Sequence, residues 1–307
     1  MVRNDFTFHS ASGLCDIAAQ SFRPEGDAAI KGVVQITHGM AEHKERYEWF
    51  AGQLTDAGWA VYIMDLLGHG ASVKDDSELG YFGEHGLASL LKDMKELNGI
   101  AHAECPGVPY VMFGHSMGSF LTRAYSAKYP ATMTAAVYCG TSGPNPATGI
   151  GLMLAKRAAA KEGEKTPSPK LNGMAFGSYN KRTQNRTAFD WLSVNEENVD
   201  RYIADPYCGF VFTNNGFVTL MTLLKSVTSS GWYERVPKDL PIYLIAGTED
   251  PVGNYGKGVG KVYRALKKTG HSSVSIQMYP GDRHEILNED DRDRVVKDLL
   301  AWMDENT

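Results

Sequence analysis

The sequence predicts an α/β protein, with a mostly parallel, doubly wound sheet and a helical segment inserted late in the chain. Three observations predict it. Short, nearly all-apolar runs alternate with helix-period stretches across 32–139. The alternation stops after Gly140 and resumes at Leu240. Within the regular part, the apolar run 109–113 leads into Gly114-His115-Ser116-Met117-Gly118 and then a helix-period stretch, so that strand, tight turn and helix follow one another directly.

Gly32–Thr37, Trp59–Met64, 109–113 and Ala135–Cys139 read as strands. Each is nearly all apolar, as parallel strands covered by helices on both faces should be. Between them, 46–57 places Tyr47, Phe50, Ala51, Leu54 and Ala57 on one helical face and stops at Gly58, while 87–101 and 120–128 supply further helices. After Leu240, Pro241 leads into the buried strand 242–246, followed by a strand at Val274–Tyr279 and a helix over 290–303 whose Val295, Val296, Leu299, Leu300 and Met303 form the inner face. The core is thus assigned to 1–140 and 240–307, with 141–239 as an inserted lid. The insert opens on turn-rich 141–149 and crosses the polar run 161–170 with its two prolines. It then gathers Phe176, Phe189, Trp191, Phe210, Phe212 and Phe217. Phe217, Leu220, Met221, Leu224 and Val227 recur at i, i+3, i+4 spacing, giving one insert helix an apolar stripe. No internal repeat is visible.

Composition bounds the function. With 43% hydrophobic and 22% charged residues the chain is globular, and a net charge of −5 without a long basic run speaks against nucleic acid as a partner. Cys15, Cys105, Cys139 and Cys208 lack C-x-x-C spacing and read as unpaired packing thiols of a reducing compartment. The N-terminal residues do not read as a leader, and no run of about 18 apolar residues occurs, so a soluble, cytoplasmic protein is expected. Ile150, Leu152, Met153 and Leu154, followed by Lys156 and Arg157, form an apolar-then-basic pattern that suits transient membrane contact as well as ordinary packing. His43, His69 and His85 lack any H-E-x-x-H spacing, and no G-x-G-x-x-G follows a strand, so neither metal nor cofactor is expected.

The chemistry centres on Ser116. Glycines at both ends of the five-residue turn allow a strained elbow that lifts the serine hydroxyl from the sheet, and the following helix N-terminus places positive potential beside it. A serine hydroxyl is a weak nucleophile near neutral pH, so it needs a histidine to take its proton and a carboxylate to orient that histidine. On a strand-elbow-helix frame these follow in the order Ser, acid, His, each after a late strand. His284 follows the last strand, whereas His271 precedes it and reads as decoration of the preceding helix end. Asp250 and Glu249 both follow strand 242–246. Two oxyanion donors are also required; the N–H after the nucleophile is that of Met117, and the loop after Gly32–Thr37 offers that of Met40. His38 and His115 flank this machinery as loop supports.

Taken together, His38-Gly39-Met40-Ala41-Glu42-His43 with Arg46-Tyr47, Asp65-Leu66-Leu67-Gly68-His69-Gly70, the Ser116 pentapeptide, Glu249-Asp250-Pro251 and His284-Glu285-Ile286-Leu287-Asn288-Glu289 resemble the monoacylglycerol lipase and lysophospholipase branch of the α/β-hydrolases. The match runs in order through nearly the whole core. The resemblance implies Asp250 rather than Glu249 as the acid. It also implies hydrolysis of a single-chain acyl ester, a monoacylglycerol or a lysophospholipid, with the insert forming the acyl tunnel. Two positions depart from the common pattern: Ser119, where a further glycine is usual, and Met40, usually a smaller residue. Rival readings are a short-chain carboxylesterase or aminopeptidase on the same frame, and a binding protein that has lost catalysis.

Overall fold

A computed structural model of the chain describes residues 1–26 and 29–307. Its core is one eight-stranded sheet in the order β1-β2-β4-β3-β5-β6-β7-β8, with β1 (Val2–His9), β2 (Asp16–Arg23), β3 (Gly32–Thr37), β4 (Trp59–Met64), β5 (Tyr110–His115), β6 (Ala135–Cys139), β7 (Ile242–Gly247) and β8 (Val274–Tyr279). From β4 to β8 every neighbouring pair is parallel, while β1 and β2 form an antiparallel hairpin joined to β4. The hairpin is the element the sequence reading leaves out. Its strands carry Asp, Arg, Asn, Gln and Thr because much of β1 meets solvent, so the continuous apolar signature of the central strands is missing.

Helices cover both faces. α1 (Glu48–Asp56) and α10 (Arg292–Asn306) pack on one side through Phe50, Leu54, Val295, Leu299 and Met303, around the outward side chains of β3, β4 and β5. α2 (Gly86–Glu104), α3 (Met117–Lys128) and α9 (Lys257–Lys268) pack on the other through Leu90, Met94, Leu121, Tyr125, Val262 and Leu266. Burying each such side chain is worth about 1.5–3 kcal/mol relative to leaving it in water. Two boundaries differ from expectation where it matters. β5 continues past Phe113 to His115, and α3 begins at Met117 instead of three residues later, so Ser116 is the single residue between strand and helix. The start of 46–57 is a tight 3₁₀ turn, Lys44–Tyr47, ahead of α1.

Between β6 and β7 the chain leaves the sheet and forms α4 (Thr148–Glu162), α5 (Pro169–Phe176), α6 (Glu196–Ala204), α7 (Asn214–Val227) and α8 (Ser230–Arg235). α7 buries Phe217, Leu220, Leu223 and Val227 towards the core, while Met221 and Leu224 are half-buried. α4 buries only Ala155. Arg123 of α3 ties both ends of the insert down: its guanidinium donates to the Ser142 and Val227 carbonyls and lies 4.3 Å from the Trp232 ring. Among the described residues no helix is long and apolar enough to cross a membrane.

Candidate active site

Ser116 has φ 53° and ψ −121°, a region that side-chain-bearing residues avoid. The surroundings hold it there. A Cβ on Gly118 would collide with the Thr37 and His38 carbonyls, so only glycine lets the elbow pack against the end of β3. The Ser116 N–H donates to the Cys139 carbonyl at 2.9 Å, which fixes the turn to β6. Ser119 is buried and its hydroxyl donates to the Ser116 carbonyl at 2.6 Å, so the serine that replaces a common glycine braces the elbow.

The structure brings Asp250 and His284 together. Asp250 is fully buried beyond β7, and its Oδ1 accepts from the Val252 N–H at 2.8 Å. His284 Nδ1 lies 3.0 Å from the same oxygen but makes no aligned hydrogen bond, and Nε2 has no hydrogen-bond partner among the described residues. Such pairs often tighten only when substrate is bound. Trp191 of the insert packs on the His284 ring, centroids 5.2 Å apart. Glu249 turns outward to Arg182 at 3.3 Å. His271 ends α9, bonded to the Leu266 carbonyl at 3.0 Å. Met40 and Met117 line the same cavity as Ser116 and His284, and neither N–H donates a hydrogen bond among the described residues.

Behind the serine lies a charge network whose members the motifs contain but whose connections they do not reveal. Glu42 accepts through Oε1 from the Gly39 N–H, from the Tyr47 hydroxyl at 2.9 Å and from His115 Nδ1 at 3.2 Å, and through Oε2 from Arg46 at 2.6 Å. Arg46 also grips Glu285 with two bonds of 2.8 and 2.7 Å, and Asn198 of the insert donates to Glu285 at 2.7 Å. Burial opposes the charge on Glu42, yet His115 and Arg46 hold its carboxyl well below the usual range. Burial likewise opposes charging His115, but the bond to Glu42 and the nearby Glu42 and Glu285 charges outweigh it and raise its pKa. His115 Nε2 faces the His284 carbonyl at 3.2 Å, so both ring nitrogens meet oxygen acceptors, an arrangement only the imidazolium satisfies fully. The Ser116 neighbourhood thus rests on alternating buried charges. His38 supports the same loop, Nδ1 donating to the Gly39 carbonyl and Nε2 accepting from the Leu66 N–H.

The cavity above these groups measures about 300 Å³. Its apolar wall is made by Phe120, Phe176, Phe189, Phe210, Leu220 and Leu224, and Ser142, Asn145, Asn172 and Thr228 add polar points. No lysine or arginine lines it among the described residues, and its two carboxylates, Glu42 and Glu285, are consumed by the network. Most of the apolar wall comes from the insert.

The family model Hydrolase_4, described as serine aminopeptidase, S33, matches residues 28–291. The chain belongs to this family of α/β-hydrolases. A monoacylglycerol lipase of Mycolicibacterium smegmatis is 29% identical over 98% of this chain and 97% of its own. A thermostable carboxyl esterase from Bacillus coagulans, solved with glycerol, superposes with a TM-score of 0.93 at 32% identity, covering 100% of this chain and 99% of its own. A soluble variant of monoglyceride lipase from Saccharomyces cerevisiae, solved with a substrate analogue, shares the fold at a TM-score of 0.80 and 18% identity, over 100% and 96% of the two chains. This hydrolase is a carboxylic ester hydrolase of the monoacylglycerol lipase type.

Proposed function

We propose that this hydrolase cleaves monoacylglycerols through an acyl-enzyme formed on Ser116. His284 takes the Ser116 proton as the hydroxyl attacks the acyl carbonyl, and Asp250 orients His284 and balances its charge. The N–H groups of Met40 and Met117 receive the oxyanion, helped by the N-terminus of α3. His284 returns the proton to the departing glycerol oxygen, and a water deprotonated by His284 then frees the fatty acid. In this reading 141–239 acts as the lid whose aromatic and leucine side chains hold the acyl chain.

The observation that carries the substrate choice is the cavity wall, apolar over most of its extent and, among the described residues, without a cationic side chain. A lysophospholipid would bring a phosphate that such a wall cannot pair, and an aminopeptidase substrate would bring an ammonium for which Glu42 and Glu285 have no free oxygen. A neutral glycerol head group needs only hydroxyl partners, which Ser142, Asn145 and Thr228 provide. A panel of monoacylglycerols, lysophospholipids, short-chain esters and aminoacyl amides tests this: the highest kcat/KM is expected for a monoacylglycerol, and preference for any other class overturns the assignment. Ser116→Ala should reduce kcat by at least about 10⁴-fold with the fold intact and abolish labelling by a fluorophosphonate. Undiminished turnover in that variant would remove Ser116 from the mechanism.

The substrate is an amphiphile, and the outer face of the insert suits its source. Ile150 and Met153 of α4 are 59% and 61% exposed, Met174 of α5 is 59% exposed, and Lys156 and Arg157 follow on α4. We assign this face to transient contact with lipid surfaces by a cytoplasmic enzyme, whose four cysteines are all free. Co-sedimentation with anionic vesicles should fall on Ile150→Asp/Met153→Asp; equal binding by the variant would exclude the face.

A further inference from the structure

Outside the cavity, one cluster brings together three side chains of metal-ligand type that are far apart in the chain. His43 ends the loop that carries Met40, whereas Asp205 and Cys208 sit on a turn of the insert just after α6. Their ligand atoms, His43 Nε2, a carboxylate oxygen of Asp205 and the Cys208 Sγ, all lie within 4.8 Å of one another. His43 Nε2 is already 2.8 Å from Asp205 Oδ2. The turn is fixed locally: the Cys208 N–H donates to the Asp205 carbonyl at 3.1 Å and the Tyr207 N–H to Asp205 Oδ1 at 2.9 Å. That leaves Oδ2 and the thiol on the side of His43, with the Tyr207 ring packed edge-on against the imidazole. The turn is joined to the Met40 loop by the Gly209 N–H and the Tyr202 hydroxyl, which both donate to the Ala41 carbonyl at 2.9 and 2.8 Å.

We infer that His43, Asp205 and Cys208 form a binding site for a thiophilic divalent cation of the zinc type, which would clamp the insert to the Met40 loop. One imidazole, one carboxylate and one thiolate are a borderline-soft donor set that zinc accepts, with a solvent molecule completing the tetrahedron on the open side of the half-exposed Asp205. In a tetrahedron with ordinary zinc bond lengths the ligand atoms stand about 3.3–3.8 Å apart, so closure asks for shifts of about an ångström or less. Metal-free, His43 donates its Nε2–H to Asp205 Oδ2. On binding, the thiol releases one proton to solvent and becomes a zinc thiolate, the neutral imidazole shifts its single proton from Nε2 to Nδ1 through solvent, and the metal takes the place of that proton between Nε2 and Oδ2.

The same three residue types could be mistaken for a second nucleophilic triad. Burial pushes the Cys208 thiol up, and although Arg46 opposes this, the Glu42, Asp205 and Glu285 carboxylates add to it. A thiol kept protonated is a poor nucleophile, while the negative surroundings that disfavour a bare thiolate favour a dication beside it. His43, not this thiol, is what links the cluster to the ester-cleaving loop.

Cobalt(II) reports the site without reference to ester turnover. Adding one equivalent of Co²⁺ to the full chain should produce a thiolate-to-cobalt charge-transfer band that one equivalent of Zn²⁺ removes, and Zn²⁺ should raise the melting temperature. Cys208→Ser should lack the band while keeping the circular dichroism of the parent. Asp205→Asn, which alters a different ligand, should weaken Zn²⁺ binding by at least about tenfold. No thiolate band in the parent, or an unchanged band in folded Cys208→Ser, or unchanged affinity in folded Asp205→Asn, overturns the site. Because the reading is spectroscopic, it stands or falls independently of the substrate panel.

Discussion

The ground beneath Ser116 and the insert above it are built on opposite principles. Beneath the serine, Glu42, His115 and Glu285 are buried and Arg46 is largely so, all are charged and multiply bonded, and almost no atom there can move without leaving a charge uncompensated. Above it, α4 buries one alanine and turns Ile150 and Met153 to solvent, and the cavity wall is held by apolar contacts that tolerate exchange of one side chain for another. The contrast teaches a division of labour. Under the proposed function, charge positions the reacting groups, where errors of an ångström are costly, and apolar surface receives an acyl chain that needs volume more than direction.

The sharpest way to break the comparison is Arg46→Leu. It leaves Glu42 and Glu285 buried without their shared cation, and should cost about 3–5 kcal/mol of stability by denaturant unfolding. A loss below about 1 kcal/mol would show that the network contributes little to holding the Met40 loop. On the insert, Leu224→Trp should leave stability nearly unchanged but occupy the tunnel, lowering kcat/KM for long-chain esters by about 10–200-fold while short-chain esters change little. Equal losses for all chain lengths would place the acyl chain elsewhere. The smallest effect concerns pH. The His115 pKa is raised in the folded protein, so its contribution to stability is fully present below the unfolded histidine value and is lost as pH rises through the raised one. The melting temperature of the parent should therefore decline over that window above about pH 6.5, and His115→Gln should flatten the decline. Identical slopes in the two proteins would mean that His115 is not charged in the native state.

The two regions also differ in how legible they were. Asp250 and His284 could be placed because each follows a strand written in apolar residues and because chain order on this frame is constrained. The structure then separated neighbours that spacing left open, taking Asp250 inward to His284 and Glu249 outward to Arg182. Glu42, Arg46 and Glu285 were visible as motif letters, but the bond that joins them spans 239 residues, and no local pattern encodes a contact of that separation. The β1–β2 hairpin escaped because a half-solvated antiparallel pair lacks the apolar run by which the central strands announce themselves.

By itself, then, the sequence determined the parallel core, the strand-serine-helix elbow and the order of the groups around it, because periodicity and glycine placement are local physics. Only the tertiary structure decided which carboxylates are consumed in buried pairs, that Trp191 packs on His284, that no cationic side chain among the described residues lines the cavity, and that His43 meets Asp205 and Cys208. The first depends on two core loops meeting 239 residues apart and the others on how the insert folds back over the sheet; both are set by long-range burial, which single-sequence periodicity does not record.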